Sequence, residues 1–140
     1  MIPVVAVPMD LDPVCRQVVA ALAGLGPVGG IHFSGEGDLR GEWDGDRVAQ
    51  VLSNLLRNAI QHGGASAPIH LRAAGDVDEV VLEVRYSGAS IPEHVLPTIF
   101  DPMVRHTKGD QTNRGLGLGL YIAHQIVLAH GGTIRVKSND

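Results

Sequence analysis

A chain of 140 residues carries enough material for one domain, which at this size hides roughly two-thirds of the surface its unfolded form exposes, and not enough for two. Hydrophobic residues make up 44% and mean hydropathy is +0.12, which excludes a mostly disordered chain; aromatics at 4% leave Val, Leu, Ile and Ala to build the core. The formal net charge of -4 argues against a surface that binds nucleic acid by neutralising phosphates.

The longest apolar stretch, Val18 to Ile31, is interrupted by Gly24, Gly26, Pro27, Gly29 and Gly30 and falls short of the ~20 residues a bilayer span needs. No basic residue precedes Arg16, so no secretory leader is expected, and the single cysteine, Cys15, cannot close an internal disulfide. These features suit a cytoplasmic domain without membrane contact of its own, and a piece of a membrane protein would look the same.

In chain order, Val4 to Val7 reads as an extended lead-in between Pro3 and Pro8. A helix follows, capped by Asp10 or Asp12, with Pro13 in its first turn and Val14, Val18, Ala21, Leu22 and Leu25 at helical spacing. Cys15 lies near that apolar face, as a buried, inert thiol. Ile31 to Ser34 and Leu39 to Trp43 read as a pair of strands joined by the turn residues Gly35 to Asp38. From Asp44 or Asp46 the period is helical again: Val48, Val51, Leu52, Leu55, Leu56, Ala59 and Ile60 form one stripe before His62-Gly63-Gly64. Ile69 to Ala74 and Glu79 to Tyr86 make an antiparallel hairpin, and Pro92 to Pro97 allows at most a short helical turn. Val104 to Arg114 is a long polar loop of the kind that forms lids. Leu120 to Ala129 is a third helix, and Thr133 to Ser138 a last strand. Helices separated by strands imply an α+β fold in two layers, with about three helices on one face of a mixed, mainly antiparallel sheet.

Two features carry chemistry. Asn54, Asn58 and Gln61 fall at i, i+4 and i+7 of the central helix and form a polar stripe along the edge of its apolar face. A solvated helix edge has the same pattern. Amide oxygens, however, can also complete the shell of Mg²⁺, a hard ion that keeps waters and phosphates as its other ligands. The second feature is Gly115-Leu116-Gly117-Leu118-Gly119-Leu120, running into a helix. Alternate glycines let backbone approach a ligand, and a helix N-terminus attracts a polyphosphate. A Walker loop is excluded because no Gly-Lys-Ser/Thr is present, and the dinucleotide fingerprint because Leu120 stands where its third glycine belongs.

Asn54-Leu55-Leu56-Arg57-Asn58-Ala59-Ile60-Gln61-His62 resembles the N box of the sensor histidine kinase catalytic domain, within the GHKL ATPase superfamily. Ile99-Phe100-Asp101-Pro102-Met103-Val104-Arg105 is similar to its F box. Gly115 through Leu120, followed by Tyr121-Ile122-Ala123 and His130-Gly131-Gly132, resembles its second glycine box, and Gly88-Ala89-Ser90-Ile91-Pro92 stands in the place of the first. The motifs keep the family's order across nearly the whole chain, and their details are most similar to the kinase modules of bacterial phytochromes.

The resemblance implies a Bergerat-type α/β sandwich with an ATP site between the central helix and a lid from Val104 to Gly119. It implies nucleotide contacts from Asn54, Asn58, Gln61, Tyr86, Gly88, Ile91, Phe100, Arg105, Lys108, Gly115, Leu116, Gly117, Leu118 and Gly119, with Asn58 as the Mg²⁺ ligand. Phe100 is better suited to anchoring the lid in the apolar layer. Arg105, His106, Lys108 and Arg114 put positive charge on the lid, Arg105 at the family position. Hydrolytic relatives carry a glutamate where this chain has Asn54, and an amide is a poor general base. A site built with Asn54 should hold ATP without rapid hydrolysis, as a kinase requires.

The family reads adenine with an acidic residue, or Asn in the phytochrome-like branch, at the position of Tyr86. Alternation with Val80, Leu82 and Val84 turns Tyr86 inward. Losing a charged acceptor for the adenine amine costs about 1.5–3 kcal/mol, before any steric clash. None of the 7 histidines stands in the context of a phosphoacceptor helix. The expectation is therefore a single domain over 1–140, without the dimerisation and phosphoacceptor domain and without the family's last strand. It would be monomeric alone and would present Mg-ATP to a histidine on a separate domain that serves a response regulator. The alternatives are a degenerate member in which Tyr86 fills the base pocket and the fold serves as an interaction module, and a GHKL hydrolase or anti-sigma-type serine kinase.

Overall fold

A computed structural model describes residues 2–64, 66–88, 99–100 and 114–137, the side chains of 114–117 excepted. The lead-in becomes strand β1 at Val7–Asp10, three residues later than its composition suggests, because its ladder partner β3 (Arg40–Trp43) runs antiparallel from Val7 opposite Trp43 to Asp10 opposite Arg40. Asp10 then caps α1 (Leu11–Leu22), its side chain accepting from the Asp12 backbone N–H at 2.9 Å. A single 3-10 turn, Ala23–Leu25, closes that helix.

Strand β2 (Ile31–Gly37) does not form a hairpin with β3, contrary to the turn reading of Gly35 to Asp38. It lies parallel to β4 (Ile69–Gly75), from Ile31 opposite Ile69 to Gly37 opposite Gly75. The reason is steric. At φ +75° a Cβ on residue 37 would stand 2.0 Å from the Gly75 carbonyl oxygen, so only a glycine continues the strand there. Residues rich in turn-forming glycine thus serve as strand because their partner is glycine too. The expected β4–β5 hairpin is present: β5 (Val80–Arg85) pairs antiparallel with β4, and Asp76 holds the turn by accepting from Asp78 N at 2.7 Å and Glu79 N at 2.9 Å. The sheet order is β2-β4-β5, mixed, beside the separate β1-β3 pair.

Helix α2 (Gly45–His62) is capped by Asp44. Its apolar surface is wide enough to serve two neighbours. Val48, Leu52, Leu56 and Ala59 pack with Leu11, Cys15, Val18 and Leu22 of α1 onto Ile69, Leu71 and Ala73 of β4. Val51 and Leu55 pack instead on α3 (Arg114–Ala129), where Ala123 and Ile126 are buried. Cys15 is fully buried, and burial, with Asp12 nearby, pushes its thiol up to about 11, so it is inert as expected.

Helix α3 starts at Arg114 and not at Leu120, so the second glycine box is helical backbone. Glycine costs about 1 kcal/mol per helical position relative to Ala. The helix persists because Leu120 is buried against Ile99, Leu55, Phe100 and Val136, and because α2 holds its backbone, as described below. It ends in a Schellman turn: Gly131 at φ +77°, with Gly132 N donating to Val127 O and Gly131 N to Leu128 O, both at 2.9 Å. His130 ties this end to α2. Its Nδ1 donates to Ile126 O at 2.9 Å while its Nε2 accepts from Asp44 N at 3.0 Å. Residues 133–137 join no ladder, contrary to the strand expected over Thr133 to Ser138; Val136 is used in packing on Leu120 and Ile99. The expected helical turn at Pro92 to Pro97 and nearly all of the polar loop lie outside the described residues. No described helix is long and apolar enough to cross a membrane.

Candidate functional site

At about 100° per residue the polar stripe of α2 runs along one flank of its buried face, and there the chain leaves an open cleft of about 320 Å³. Its walls are Asn54, Arg57, Asn58, Ile60 and Gln61 of α2, Leu25 from the turn after α1, and Gly119 of α3. The structure thus brings three of the residues expected from the first motif against one from the second, although they are far apart in sequence.

Of the two asparagines, Asn54 is oriented by the group behind it. The Asn54 Nδ2 donates to the Gly119 carbonyl oxygen at 3.1 Å. A carbonyl only accepts, so the amide is fixed with its nitrogen on α3 and Oδ1 is the end it can offer a ligand. Asn58 has the phenol of Tyr86 as a polar neighbour. Half-burial holds that phenol above its usual range, with the neighbouring Asn58 side chain opposing the shift.

Tyr86 itself is held by backbone. Gly63 pairs with Gly88 in an antiparallel bridge, and Gly64 N donates to Ser87 O at 2.7 Å. A Cβ on Gly88 would stand 2.4 Å from His62 O, so this crossing of backbones requires glycine. The Tyr86 ring lies along the end of α2, its Cδ2 3.3 Å from where a Gly63 Cβ would be. It packs into the main core and is not among the residues lining the cleft.

Phe100 sits against the His124 ring of α3, centroids 5.1 Å apart, and packs with Ile99 and Leu120. It thus sits in the apolar layer, and most of the lid that it was expected to anchor lies outside the described residues. Leu118 is exposed on α3, and the backbone of Gly115, Leu116 and Gly117 lies in the first turns of that helix, so the glycine box presents a helix start and not a loop. Ile91, Arg105, His106 and Lys108 lie outside the described residues. Three wall residues were not expected: Arg57, Leu25 and Ile60. Arg57 was legible, since it falls at i+3 from Asn54, and it is the charged residue among the described walls. Leu25 arrives through tertiary structure alone.

A family model described as histidine kinase-, DNA gyrase B-, and HSP90-like ATPase matches residues 43–140, and the chain belongs to that family. Among particular relatives, the bacteriophytochrome of Pseudomonas aeruginosa is 36% identical over 94% of this chain and 18% of its own length. The signal transduction histidine-protein kinase AfsQ2 of Streptomyces coelicolor is 33% identical over 92% and 24%. This chain therefore spans less than a quarter of either. The nucleotide-free catalytic domain of the histidine kinase ThkA superposes with a TM-score of 0.73 at 29% identity, covering 90% of this chain and 82% of that one. ThkA in complex with the response regulator protein TrrA gives 0.72 at 27%, covering 92% and 36%. The α+β fold of the expected type is thus the observed one.

Proposed function

We propose that this chain is the ATP-binding catalytic domain of a two-component sensor histidine kinase, which holds Mg-ATP for phosphoryl transfer to a histidine on a separate dimerisation domain. The observation that carries the reading is the cleft on α2, where Asn54, its nitrogen tied to Gly119, and Asn58 line one wall against the end of the glycine box on α3. The donor set fits a hard cation. Two neutral oxygens supply too few ligands for a protein cage, as suits Mg²⁺, which takes its remaining ligands from water and phosphate. Asn58, at the family's metal position, would hold it, with Asn54 beside it; the ion would neutralise phosphate charge.

This chain's own residues do the rest. Arg57 brings a guanidinium to the cleft that can pair with phosphate oxygens, and the positive dipole end of α3 favours the same charge. Neither Asn54 nor Asn58 can take a proton from water at neutral pH, so the γ-phosphate is kept for a protein acceptor. Gln61, Tyr86, Gly88, Ile91, Phe100, Arg105, Lys108 and the box from Gly115 to Gly119 complete the proposed nucleotide site, Phe100 by anchoring α3. The partners under this reading are ATP and ADP, the phosphoacceptor domain and, through it, a response regulator. The site of action is the cytoplasm.

Calorimetry of the chain with ATP and ADP, with and without Mg²⁺, tests the binding step. Transfer of label from γ-³²P ATP to a purified phosphoacceptor domain tests the reaction. Micromolar binding strengthened by Mg²⁺ is expected. A folded chain that binds no nucleotide under any condition would sink the proposal.

A further inference from the structure

The lead-in before β1 alternates as an extended chain does: Ile2 and Val4 are half-buried, Pro3 and Val5 exposed. It touches both later helices. The Ile2 side chain packs on the small cluster that Val51 of α2 makes with Ala123 and Ile126 of α3. The Val5 backbone N–H donates to Asp44 Oδ2 at 2.9 Å, at the cap of α2. The Asp44 N–H in turn meets His130 Nε2 at 3.0 Å, and His130 Nδ1 meets the Ile126 carbonyl at 2.9 Å. We propose that residues 2–5 form a strap across the contact between α2 and α3, and that its seating positions the glycine box and so regulates nucleotide binding. The inference rests on the nucleotide reading above.

The reach of the strap agrees with its contacts. From Val5 back to Ile2 an extended chain covers about 10 Å. From Asp44 along α2 to Val51 is also about 10 Å. The two helices run antiparallel, since Asp44 meets His130 and Asn54 meets Gly119. The strap therefore lies along their contact and points toward the cleft, with Ile2 about one helical turn short of Asn54. The next tie beyond it is the bond from Asn54 Nδ2 to Gly119 O at 3.1 Å, which holds the end of the glycine box. A cluster as small as this one loses a large share of its packing when one member leaves. Anything that draws the lead-in off the helices should thus loosen α3 and, through Gly119, the wall of the cleft.

The test compares the parent chain with Ile2→Ser, which removes the packing, and Val5→Pro, which removes the N–H. Val77→Ser, at the exposed tip of the β4–β5 turn, is the control. Without ligand, the amides from Ala123 to Ala129 should exchange about three- to tenfold faster in both strap variants, with β4 unchanged and the control equal to the parent. By calorimetry, Mg-ADP should bind about two- to fivefold more weakly in the same two variants. Reciprocity supplies an arm that a merely structural strap would not move: in the parent, Mg-ADP should slow exchange of the Val5 amide. Unchanged α3 exchange, unchanged Mg-ADP affinity, or a Val5 amide indifferent to Mg-ADP would each overturn the inference and leave the nucleotide reading intact. A control that behaves like the strap variants would overturn it by making the effect general. Tighter binding in the variants would overturn it by making the strap an obstruction. A parent that binds no nucleotide overturns both.

Discussion

Helix α2 has two unlike neighbours. Toward the sheet it presents Leu52, Leu56 and Ala59, all with no exposed surface, into a core shared with α1 and β4. Toward α3 it presents Val51 and Leu55 to Leu120, Ala123 and Ile126, a smaller apolar seam, supplemented by polar ties at either end: Asn54 to Gly119 and Asp44 to His130. The cleft opens along that seam. The difference teaches which part of the site is fixed and which is adjustable: the asparagines ride on the element embedded in the core, and the glycine box on the element attached beside it.

The sharpest way to break this comparison is to empty one position on each side. Leu56→Ala should cost about 2–5 kcal/mol and lower hydrogen-exchange protection throughout α1, α2 and β4. Ile126→Ala removes a similar volume, yet its loss of protection should be confined to α3. If β4 exchanges faster in Ile126→Ala, floor and seam are one cooperative unit. Smaller, and on the chemistry, Asn58→Ala should weaken Mg-ADP by about tenfold or more while metal-free ADP changes little, a hydrogen-bond-scale loss of about 1.5–3 kcal/mol toward a charged ligand. Equal losses by calorimetry would remove Asn58 from the metal. Next, Asn54→Ala should free the Gly119 carbonyl and cost about 0.5–1.5 kcal/mol, seen as faster exchange in the first turns of α3 with the sheet untouched.

The smallest effect concerns acid. Backbone N–H groups of Val5 and Arg47, the former dominant, hold the Asp44 carboxyl below its usual range, and those of Glu79 and Asp78 do the same for Asp76. A lowered native pKa means that the unfolded chain takes up protons first, so this stability is present above the ordinary carboxylate range and lost as pH falls below it. Asp76→Asn and Asp44→Asn should each flatten the fall in melting temperature between pH 5 and about 3. Only Asp44→Asn should also loosen the lead-in at Val5, while the tie to α3 persists because the Asp44 backbone N–H makes it.

Much of this was legible in the sequence, for reasons that differ by residue. The core stripe of α2 and the caps at Asp10 and Asp44 follow from local periodicity and side-chain chemistry, and so did the amide stripe. The resemblance supplied the box that faces it. Pairing was not legible where glycines were involved: Gly35 to Gly37 carry a turn signal that the adjoining Gly75 overrides. The start of α3 was missed for a related cause, since Leu120 and the Asn54 bond hold helical a segment whose own propensity opposes it. For Tyr86 the inward direction was legible from alternation, but its seat against the end of α2 was not, because only the fold lays β5 there. As a result the ring lies on the helix end, and the cleft is open.

The two ring nitrogens of His130 are both engaged by main chain, one giving a proton to Ile126 O and the other receiving one from Asp44 N. That arrangement fixes the orientation of the imidazole ring. A phosphoryl group could be accepted at either nitrogen only by parting two helices. Under the proposed function, in which the acceptor is a histidine elsewhere, this imidazole works as a rivet and is withdrawn from the list of acceptors.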